Sequence, residues 1–415
     1  MSSRETTYNR KPELLIPAGS LEVLRTAVNF GADAVYIGGE IFSLRAKAHN
    51  FSREDMEEGI RYAHEHGVKV HVTVNILAHN YDIDSVKEYL AELAEIKPDA
   101  LIIADPGIFT LAKEICPDIE RHISTQANNT NYMTYRFWYE QGAKRVVSAR
   151  ELSLKEIREI RENIPDDMEI ESFIHGAMCI SYSGRCLLSN FMVGRDANRG
   201  ACTHPCRWKY TLMEEKRPGE YMPVYENERG TYIFNSKDLC MIEHIPEMIN
   251  AGIDSFKIEG RMKNALYVAT VARTYRKAID DYLKDPALYE ANMDWYREQI
   301  SKCVYRSFTT GFYFGKTDEN SQNYGDNTYA ADAVYLGVIE NLNSDGYALF
   351  EQKNKFCVED RIEIMKPDGT DLEVTVEAMT DEEGNPIESC PHASRMVWVK
   401  LSEAPEIGDL MRKPV

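Results

Sequence analysis

The sequence lacks the segments that insert a chain into a membrane or export it. No apolar run in the 415 residues approaches the length that crosses a bilayer. The N-terminal stretch MSSRETTYNRKPE is polar and has no apolar h-region, so it does not have the character of a secretory signal peptide. We therefore expect a cytoplasmic protein that has no membrane partner.

Positive charge is also scarce. The chain has 48 Lys and Arg against 67 Asp and Glu, a formal net charge of -19. Such a balance opposes non-specific binding to nucleic acid, because counterion release requires a surplus of basic side chains. Any contact with RNA must therefore come from one local basic patch.

Several short catalytic motifs are missing as well. There is no HExxH zinc motif, no GxSxG nucleophile elbow and no GxGxxG loop after the first apolar strand. These absences give little support to a metalloprotease or serine hydrolase, and they disfavour an open dinucleotide-binding sheet.

A repeated unit fills the first 260 residues: an amphipathic helix, a glycine and a short apolar strand, as in NFGADAVYIGG (29–39) and NAGIDSFKIEG (250–260). Each glycine falls where the residue after a helix needs a positive φ. Eight such strands are predicted, at 13–17, 34–38, 69–75, 100–104, 121–126, 145–149, 168–175 and 255–259. Eight βα units of this length predict an α/β fold, a closed TIM-like (βα)8 barrel.

The chain after the barrel changes character. A long amphipathic helix is predicted at about 262–284, and the polar, Gly- and Asn-rich segment near 316–329 reads as a linker. Beyond it, apolar residues alternate with period two between turn residues. We therefore predict a catalytic barrel domain at 1–315 and a small antiparallel β-barrel domain at 330–415, which we interpret as a docking module.

Polar residues recur where the predicted barrel strands end. Chemistry in (βα)8 barrels sits at the C-terminal ends of the strands. Each of these residues alone is typical of a cap or a loop, but together they predict a polar pocket. The residues are Glu40, Asn75, Asp105, Gln126, Asn128, Arg150, His175, Glu259 and Arg261.

The segment between strand seven and Cys240 exceeds 60 residues, and loops of that length are usually functional. Its sequence at 210–234 predicts a hairpin around Pro218-Gly219. Five of the nine cysteines lie in and beside it, in the pattern Cys179-x6-Cys186-x15-Cys202-x3-Cys206-x33-Cys240. Structural disulfides are not expected in a reducing compartment.

Three interpretations of these cysteines compete. They are free thiols, a structural zinc site, or the ligands of an iron–sulfur cluster. Zinc knuckles use closely spaced pairs, and only Cys202 and Cys206 form one. An iron–sulfur cluster needs four thiolates and tolerates irregular spacing, and the arginines and glycines of this loop suit its negative charge. The pattern favours the cluster, although spacing alone does not select four of the five.

The stretch 194–210, GRDANRGACTHPCRWKY, is locally basic and aromatic. Arg195, Arg199 and Lys209 are candidates for phosphate contacts, and Trp208 or Tyr210 for stacking on an unpaired base. Equally, the arginines balance a cluster and the aromatic rings pack the loop.

At this point the sequence resembles a known family. The segments ELLIPAGSLEVLRTAVNFGADAVYIGG, ESFIHGAMCISYSGRCLLSNFMVGRDANRGACTHPCRWKY, NSKDLC, FKIEGRMKN and FTTGFYFG look like the collagenase-like peptidase family, class U, family thirty-two. Within it, the resemblance is to bacterial proteins that make 5-hydroxyuridine at the tRNA wobble position. It implies oxygen-independent hydroxylation of tRNA with prephenate as the hydroxyl source, and a paralogous protein of the family as a further partner.

The resemblance also implies a [4Fe–4S] cluster as cofactor. Its ligands correspond here to Cys179, Cys186, Cys202 and Cys240, with Cys206 as an extra thiol.

Candidate roles follow for the polar residues. His175 is suited to proton transfer, because its unperturbed pKa lies near neutrality. Arg150, Arg185 and Arg261 are suited to clamping the carboxylates of prephenate, and Glu259 completes the catalytic candidates.

Other functions stay open. They are hydroxylation of ribosomal RNA or a quinone ring, a peptidase using Cys179 and His175, and a non-catalytic RNA-binding or partner-binding module with a structural metal.

Overall fold

The structure is a computed structural model that describes residues 10–43, 50–179, 181–208, 212–213, 221–222, 237–315 and 332–415. The described residues divide into two compact units. The first falls within Met1–Leu24, Asp33–Met262 and Arg306–Thr328, and the second within Arg25–Ala32, Lys263–Tyr305 and Tyr329–Val415. No helix in the described part of the chain is both long and apolar enough to cross a membrane.

The first unit contains a closed parallel barrel. Its strands and those of the insertion are, in chain order, β1 (Glu13–Pro17), β2 (Ala34–Gly38), β3 (Lys69–Val74), β4 (Ala100–Ile103), β5 (Glu120–Ile123), β6 (Arg145–Val147), β7 (Glu169–Ala177), β8 (Leu212–Met213), β9 (Tyr221–Met222), β10 (Asp238–Cys240) and β11 (Ser255–Ile258). Strands β1 to β7 pair with their neighbours in order, and β11 pairs in parallel with both β7 and β1. The predicted TIM-like (βα)8 barrel is confirmed.

Several of the helices begin where the sequence supplies a side-chain cap. They are α1 (Leu21–Asn29), α2 (Arg53–Glu65), α3 (Ile83–Ile96), α4 (Pro106–Ile115), α5 (Tyr132–Gln141), α6 (Leu154–Glu162), α7 (Leu188–Val193), α8 (Ile245–Asn250), α9 (Ala265–Lys284), α10 (Pro286–Ala291) and α11 (Met293–Ser301). The Ser52 hydroxyl accepts from the Asp55 amide at 3.1 Å and the Ser20 hydroxyl from the Val23 amide at 3.3 Å. These bonds satisfy amides that have no partner within their helix.

Charged side chains, rather than apolar ones, fill the N-terminal end of the barrel interior. The Arg145 guanidinium contacts the carboxylates of Glu13, Glu169 and Glu171, and the Lys257 ammonium lies 2.6 Å from Glu171. Burial alone raises the pKa of Glu171, but Lys257 and Arg145 hold that pKa below its usual value. Every charge of this set has a buried partner of opposite sign, which a buried ion pair requires.

The insertion after β7 returns to the barrel through β10. This strand pairs antiparallel with β7, so that Cys240 lies opposite His175, and β12 (Phe308–Thr309) pairs in parallel with β10. Strands β8 and β9 pair antiparallel, as a hairpin requires. The turn predicted at Pro218-Gly219 lies outside the described residues.

The second unit contains an antiparallel sheet. Its strands are β13 (Ala333–Val338), β14 (Asn341–Leu342), β15 (Tyr347–Glu351), β16 (Arg361–Met365), β17 (Asp371–Thr380), β18 (Pro386–Ile387), β19 (Met396–Leu401) and β20 (Leu410–Pro414). Alternate residues such as Leu336, Phe350 and Val399 form its core. The antiparallel prediction is confirmed. The predicted linker at 316–329 lies outside the described residues, and the domain boundaries stay predictions.

Two buried arginines tie the helices of the second unit to its sheet. Arg273 of α9 and Arg412 of β20 each donate to Asp371, at 2.9 and 2.8 Å, and both reach the side-chain oxygen of Gln299 in α11. This network gives helices α9 and α11 a fixed register on the sheet.

Candidate active site

Arg261 lies at the C-terminal end of the barrel, just beyond β11, and is almost fully buried. Its guanidinium donates to the hydroxyls of Thr73 at 2.7 Å and Ser43 at 3.0 Å. A side chain at position 38 would overlap this guanidinium, so Gly38 leaves the space that Arg261 occupies. Arg261 therefore lies at the end of its strand, as predicted, and the hydroxyls of two residues hold its guanidinium.

Glu259 and His175 lie on adjacent strands at the same end. The Glu259 amide donates to the His175 carbonyl at 2.8 Å, and the Tyr36 hydroxyl lies 3.4 Å from the Glu259 carboxylate. Gly176 has a φ of 107°, and a side chain there would collide with the Glu259 carbonyl. The barrel brings the Glu259 carboxylate and the Tyr36 phenol close together, and it places the backbone of the buried His175 beside that of Glu259.

Arg150 follows β6 and lies over the ring of Phe173, with 4.0 Å from the guanidinium carbon to the ring centre. It donates to the Ala177 carbonyl at 3.1 Å, and its buried Nε has no hydrogen-bond partner among the described residues. A guanidinium whose described contacts are neutral suits an incoming carboxylate or phosphate.

Asn128 fastens the start of the cysteine-bearing insertion to the end of β5. Its amide donates to the Ser183 carbonyl at 2.8 Å, and its oxygen accepts from Arg185 Nε at 2.6 Å. Asn128 itself has a left-handed backbone with φ 55°, which asparagine tolerates well. Arg185 is thereby held at the barrel mouth with a neutral partner.

Arg199 fastens the insertion to a second barrel loop. Its guanidinium donates two hydrogen bonds to the buried Asp82, at 2.8 and 2.9 Å. The hydrogen bond from Arg199 lowers the pKa of Asp82 to about 2. Arg199 also lies 5.4 Å from the centre of the Tyr81 ring. The predicted phosphate contact of Arg199 stays a prediction.

The remaining RNA candidates are only partly described. Arg195 is half-buried, and Trp208 is 38% exposed. Lys209 and Tyr210 lie outside the described residues.

The other strand-end residues are of two kinds: some have a local role or are exposed, and others have buried polar atoms without a described partner. Asp105 caps α4 by accepting from the Ile108 amide at 2.9 Å. Glu40 is exposed. In contrast, Asn75 Oδ1 and Gln126 Oε1 are buried atoms with no hydrogen-bond partner in the described part of the chain. Asp105 is thus a helix cap, whereas Asn75 and Gln126 keep hydrogen-bonding capacity near the pocket.

None of the four predicted ligand cysteines forms a disulfide in the described part of the chain. Cys179 is exposed, and Cys186, Cys202 and Cys240 are half-buried. The His204 amide donates to the Cys202 sulfur at 3.4 Å. Among the described residues no group of three His, Cys, Asp or Glu side chains is arranged to hold a metal ion. The donor set fits a four-thiolate cluster in chemistry, and binding one requires the insertion to draw its cysteines together.

A cavity of about 250 Å³ lies at the opposite end of the barrel. It is lined by the starts of β1, β3, β6 and β7 and carries charges of both signs, including Glu13, Arg145 and Glu169. Because both of these carboxylates are already ion-paired with Arg145, we assign function to the C-terminal end.

Fold and site together define a (βα)8-barrel protein whose C-terminal end carries polar strand-end residues and a cysteine-bearing insertion. Comparison of the sequence with known protein families identifies the family. The model for Peptidase family U32 matches residues 19–323, and the model for the Peptidase family U32 C-terminal domain matches residues 332–412. The chain belongs to peptidase family U32.

Full-length relatives carry two kinds of name. The chain is 42% identical to "tRNA hydroxylation protein P1" of Bacillus subtilis (strain 168), over 97% of this chain and 95% of that protein. It is 38% identical to "tRNA hydroxylation protein P" of Escherichia coli (strain K12), over 96% and 95%. It is 36% identical to "Collagenase" of Porphyromonas gingivalis (strain ATCC BAA-308 / W83), over 86% of each chain.

Sequence reasoning missed the residues that bind the Arg261 and Arg199 side chains. Thr73, Ser43 and Asp82 lie in unremarkable polar or apolar segments, and no spacing marks them. Their roles depend on side chains more than 100 positions away, as for Asp82 and Arg199.

Proposed function

We propose that this protein hydroxylates the wobble uridine of tRNA to 5-hydroxyuridine without molecular oxygen. The observation that carries the proposal is the alignment, over 97% of this chain, with a relative named for tRNA hydroxylation. The polar C-terminal end of the barrel supports it, because that is where barrel enzymes carry out their chemistry.

Prephenate is the hydroxyl donor in this proposal. Arg150 and Arg185 are suited to its two carboxylates, since neither forms an ion pair within the described residues and their polar partners are the Ala177 carbonyl and the Asn128 amide. Arg261 is suited to a third polar contact, because its guanidinium is held in place by hydroxyls.

The hydroxyl transfer balances without an external oxidant. The C5–H bond of uracil breaks and a C5–O bond forms, while the C–O bond of the donor breaks and a C–H bond forms in its place, so that uracil is oxidised by two electrons and the donor is reduced by two. In this step His175 moves the proton, and Glu259 lies on the adjacent strand to orient the reacting groups.

A [4Fe–4S] cluster is held in this proposal by Cys179, Cys186, Cys202 and Cys240. When bound, such a cluster supplies electron transfer or Lewis acidity. Cys206, in the short turn at Pro205–Arg207, is the spare thiol and hence a matched control within the same loop.

The proposal is tested by nucleoside mass spectrometry of tRNA from a strain that lacks the gene and its homologues. Reintroducing the wild-type gene restores 5-hydroxyuridine, whereas serine variants of the four proposed ligands do not. Iron and sulfide measured on anaerobically purified protein fall in the same four variants and stay at the wild-type level in Cys206→Ser. Full modification by a protein with no iron would refute the cluster, and unchanged tRNA in the deletion strain would refute the function.

A peptidase activity is the second candidate. The name of the Porphyromonas relative and the pairing of Cys240 opposite His175 favour it, because a thiol nucleophile needs a neighbouring imidazole. Cleavage of gelatin that Cys240→Ser abolishes and iron removal leaves intact would establish it.

A further inference from the structure

The loop between β3 and α3 presents two exposed rings at the C-terminal end of the barrel. The ring centres of His79 and Tyr81 lie 5.3 Å apart with their planes only 4° from parallel. Tyr81 is 70% exposed, which is unusual for a large aromatic side chain and contributes little to the core. The fold therefore gains little from this pair.

One carboxylate holds the arrangement together. Asp82 accepts from the His79 amide at 2.8 Å and from both terminal nitrogens of Arg199. The same Arg199 guanidinium lies 5.4 Å from the Tyr81 ring centre. Because Asp82 is only 7% exposed, these bonds are shielded from water and fix His79, Tyr81 and Arg199 relative to one another.

The arrangement also links the two parts of the site. Asp82 belongs to the barrel loop after β3, and Arg199 lies in the insertion between Cys186 and Cys202. The rings are thus placed where the cysteine-bearing insertion meets the barrel mouth.

We propose that His79, Tyr81 and Arg199 form a stacking surface for an unpaired tRNA base next to the target uridine. This inference rests on the proposed function. Parallel, exposed rings beside a planar guanidinium match the faces of nucleobases, which stack on aromatic and arginine side chains in single-stranded recognition.

Charge distinguishes this surface from a phosphate site. Asp82 neutralises Arg199, so the surface adds ring area without net positive charge. Stacking of this kind leaves the salt dependence of binding unchanged, whereas each phosphate contact contributes about one unit to its logarithmic slope. In contrast to Arg199, Arg195 forms no ion pair with any described residue, and it is therefore the candidate for phosphate contact in the same loop.

The test measures the affinity of the full-length protein for unmodified tRNA across a salt series. Tyr81→Ala weakens binding about 5- to 150-fold, the range for loss of one stacked base, with an unchanged salt slope. Tyr81→Phe retains the ring and binds within about twofold of wild type. Phe137→Ala, which removes a 51% exposed ring on α5, is the control. Unaltered affinity in Tyr81→Ala, or a lowered salt slope, would overturn the proposal.

Steady-state modification separates this inference from the proposed function. With Tyr81→Ala we expect KM for tRNA to rise while kcat is retained. If the wild-type protein hydroxylates tRNA and Tyr81→Ala has the wild-type KM, the stacking surface is refuted and the function stands. If the wild-type protein hydroxylates no tRNA, the function itself is refuted.

Discussion

Two arginines that are five positions apart in the sequence lie at opposite ends of the barrel. Arg145 begins β6, and its guanidinium contacts three carboxylates. Arg150 follows the same strand by three residues and contacts a carbonyl and an aromatic ring, with no ion pair in the described part of the chain. One end of the strand therefore has its charge neutralised within the fold, and the other keeps charge available for a ligand.

We infer from this difference that the charged residues at the Arg145 end stabilise the fold, whereas those at the Arg150 end bind a ligand. Buried ion pairs hold the strands in register, but their charged groups are already paired within the fold and are not available to bind a substrate. At the C-terminal end, Asn75, Gln126 and Arg150 carry buried polar atoms without described partners, and such groups are costly to the fold unless a ligand or water satisfies them.

The largest effect is expected at the Arg145 end. Glu171→Ala leaves Arg145 and Lys257 with less buried negative charge, and we expect the free energy of unfolding to fall by about 3–5 kcal/mol. Chemical denaturation monitored by circular dichroism measures the loss. The control, Asp294→Ala, removes a carboxylate exposed on α11 and changes stability by less than about 0.5 kcal/mol. A Glu171 variant as stable as the control would show that the network does not support the barrel.

At the other end, Arg150→Met should leave the fold nearly intact and impair function. We expect KM for the anionic co-substrate to rise on the order of 10²-fold, since removing one partner of a buried charge pair weakens binding by roughly 2–5 kcal/mol. Arg150→Lys keeps the charge but loses the planar fork, and we expect an intermediate value. Wild-type kinetics in Arg150→Met would contradict the assignment of this end as the binding site.

The smallest effect per residue concerns pH. Burial, together with the neighbouring His122, lowers the pKa of His71 to about 3, and burial lowers the pKa of His122 as well. Both are neutral when folded and take up a proton when unfolded below about pH 6.5, so stability is full above that pH and falls as the pH drops. Between pH 7 and pH 5 we expect a loss of roughly 1–2 kcal/mol per histidine.

Thermal unfolding as a function of pH measures this slope. Stability that is flat down to pH 5 would show that His71 and His122 titrate normally in the folded state.

The barrel was predictable because its information is local. The helix–glycine–strand unit repeats within about 30 residues, and all eight strands lie within a few residues of the predicted bounds, including β1 and β2. The strand-end positions of His175, Glu259 and Arg261 followed from the same count. What each side chain touches did not follow, because partners such as Thr73 for Arg261 are distant in the chain.

The positions of the cysteines in the fold could not be predicted from the sequence either. Their chemistry was readable from composition, but four thiols with irregular spacing have no periodic pattern that places them. Likewise, the bidentate hold of Asp82 on Arg199 joins residues 117 positions apart, and each alone looks like an ordinary surface charge.

The central claim is that the C-terminal end of the barrel hydroxylates tRNA. The most direct measurement combines anaerobically purified protein, tRNA from the deletion strain and prephenate, followed by mass spectrometry of the wobble nucleoside. We expect uridine to gain one oxygen with the wild-type protein and to remain unmodified with Cys240→Ser. No added oxygen with iron-replete wild-type protein, under conditions where the Bacillus relative modifies the same tRNA, would contradict the account.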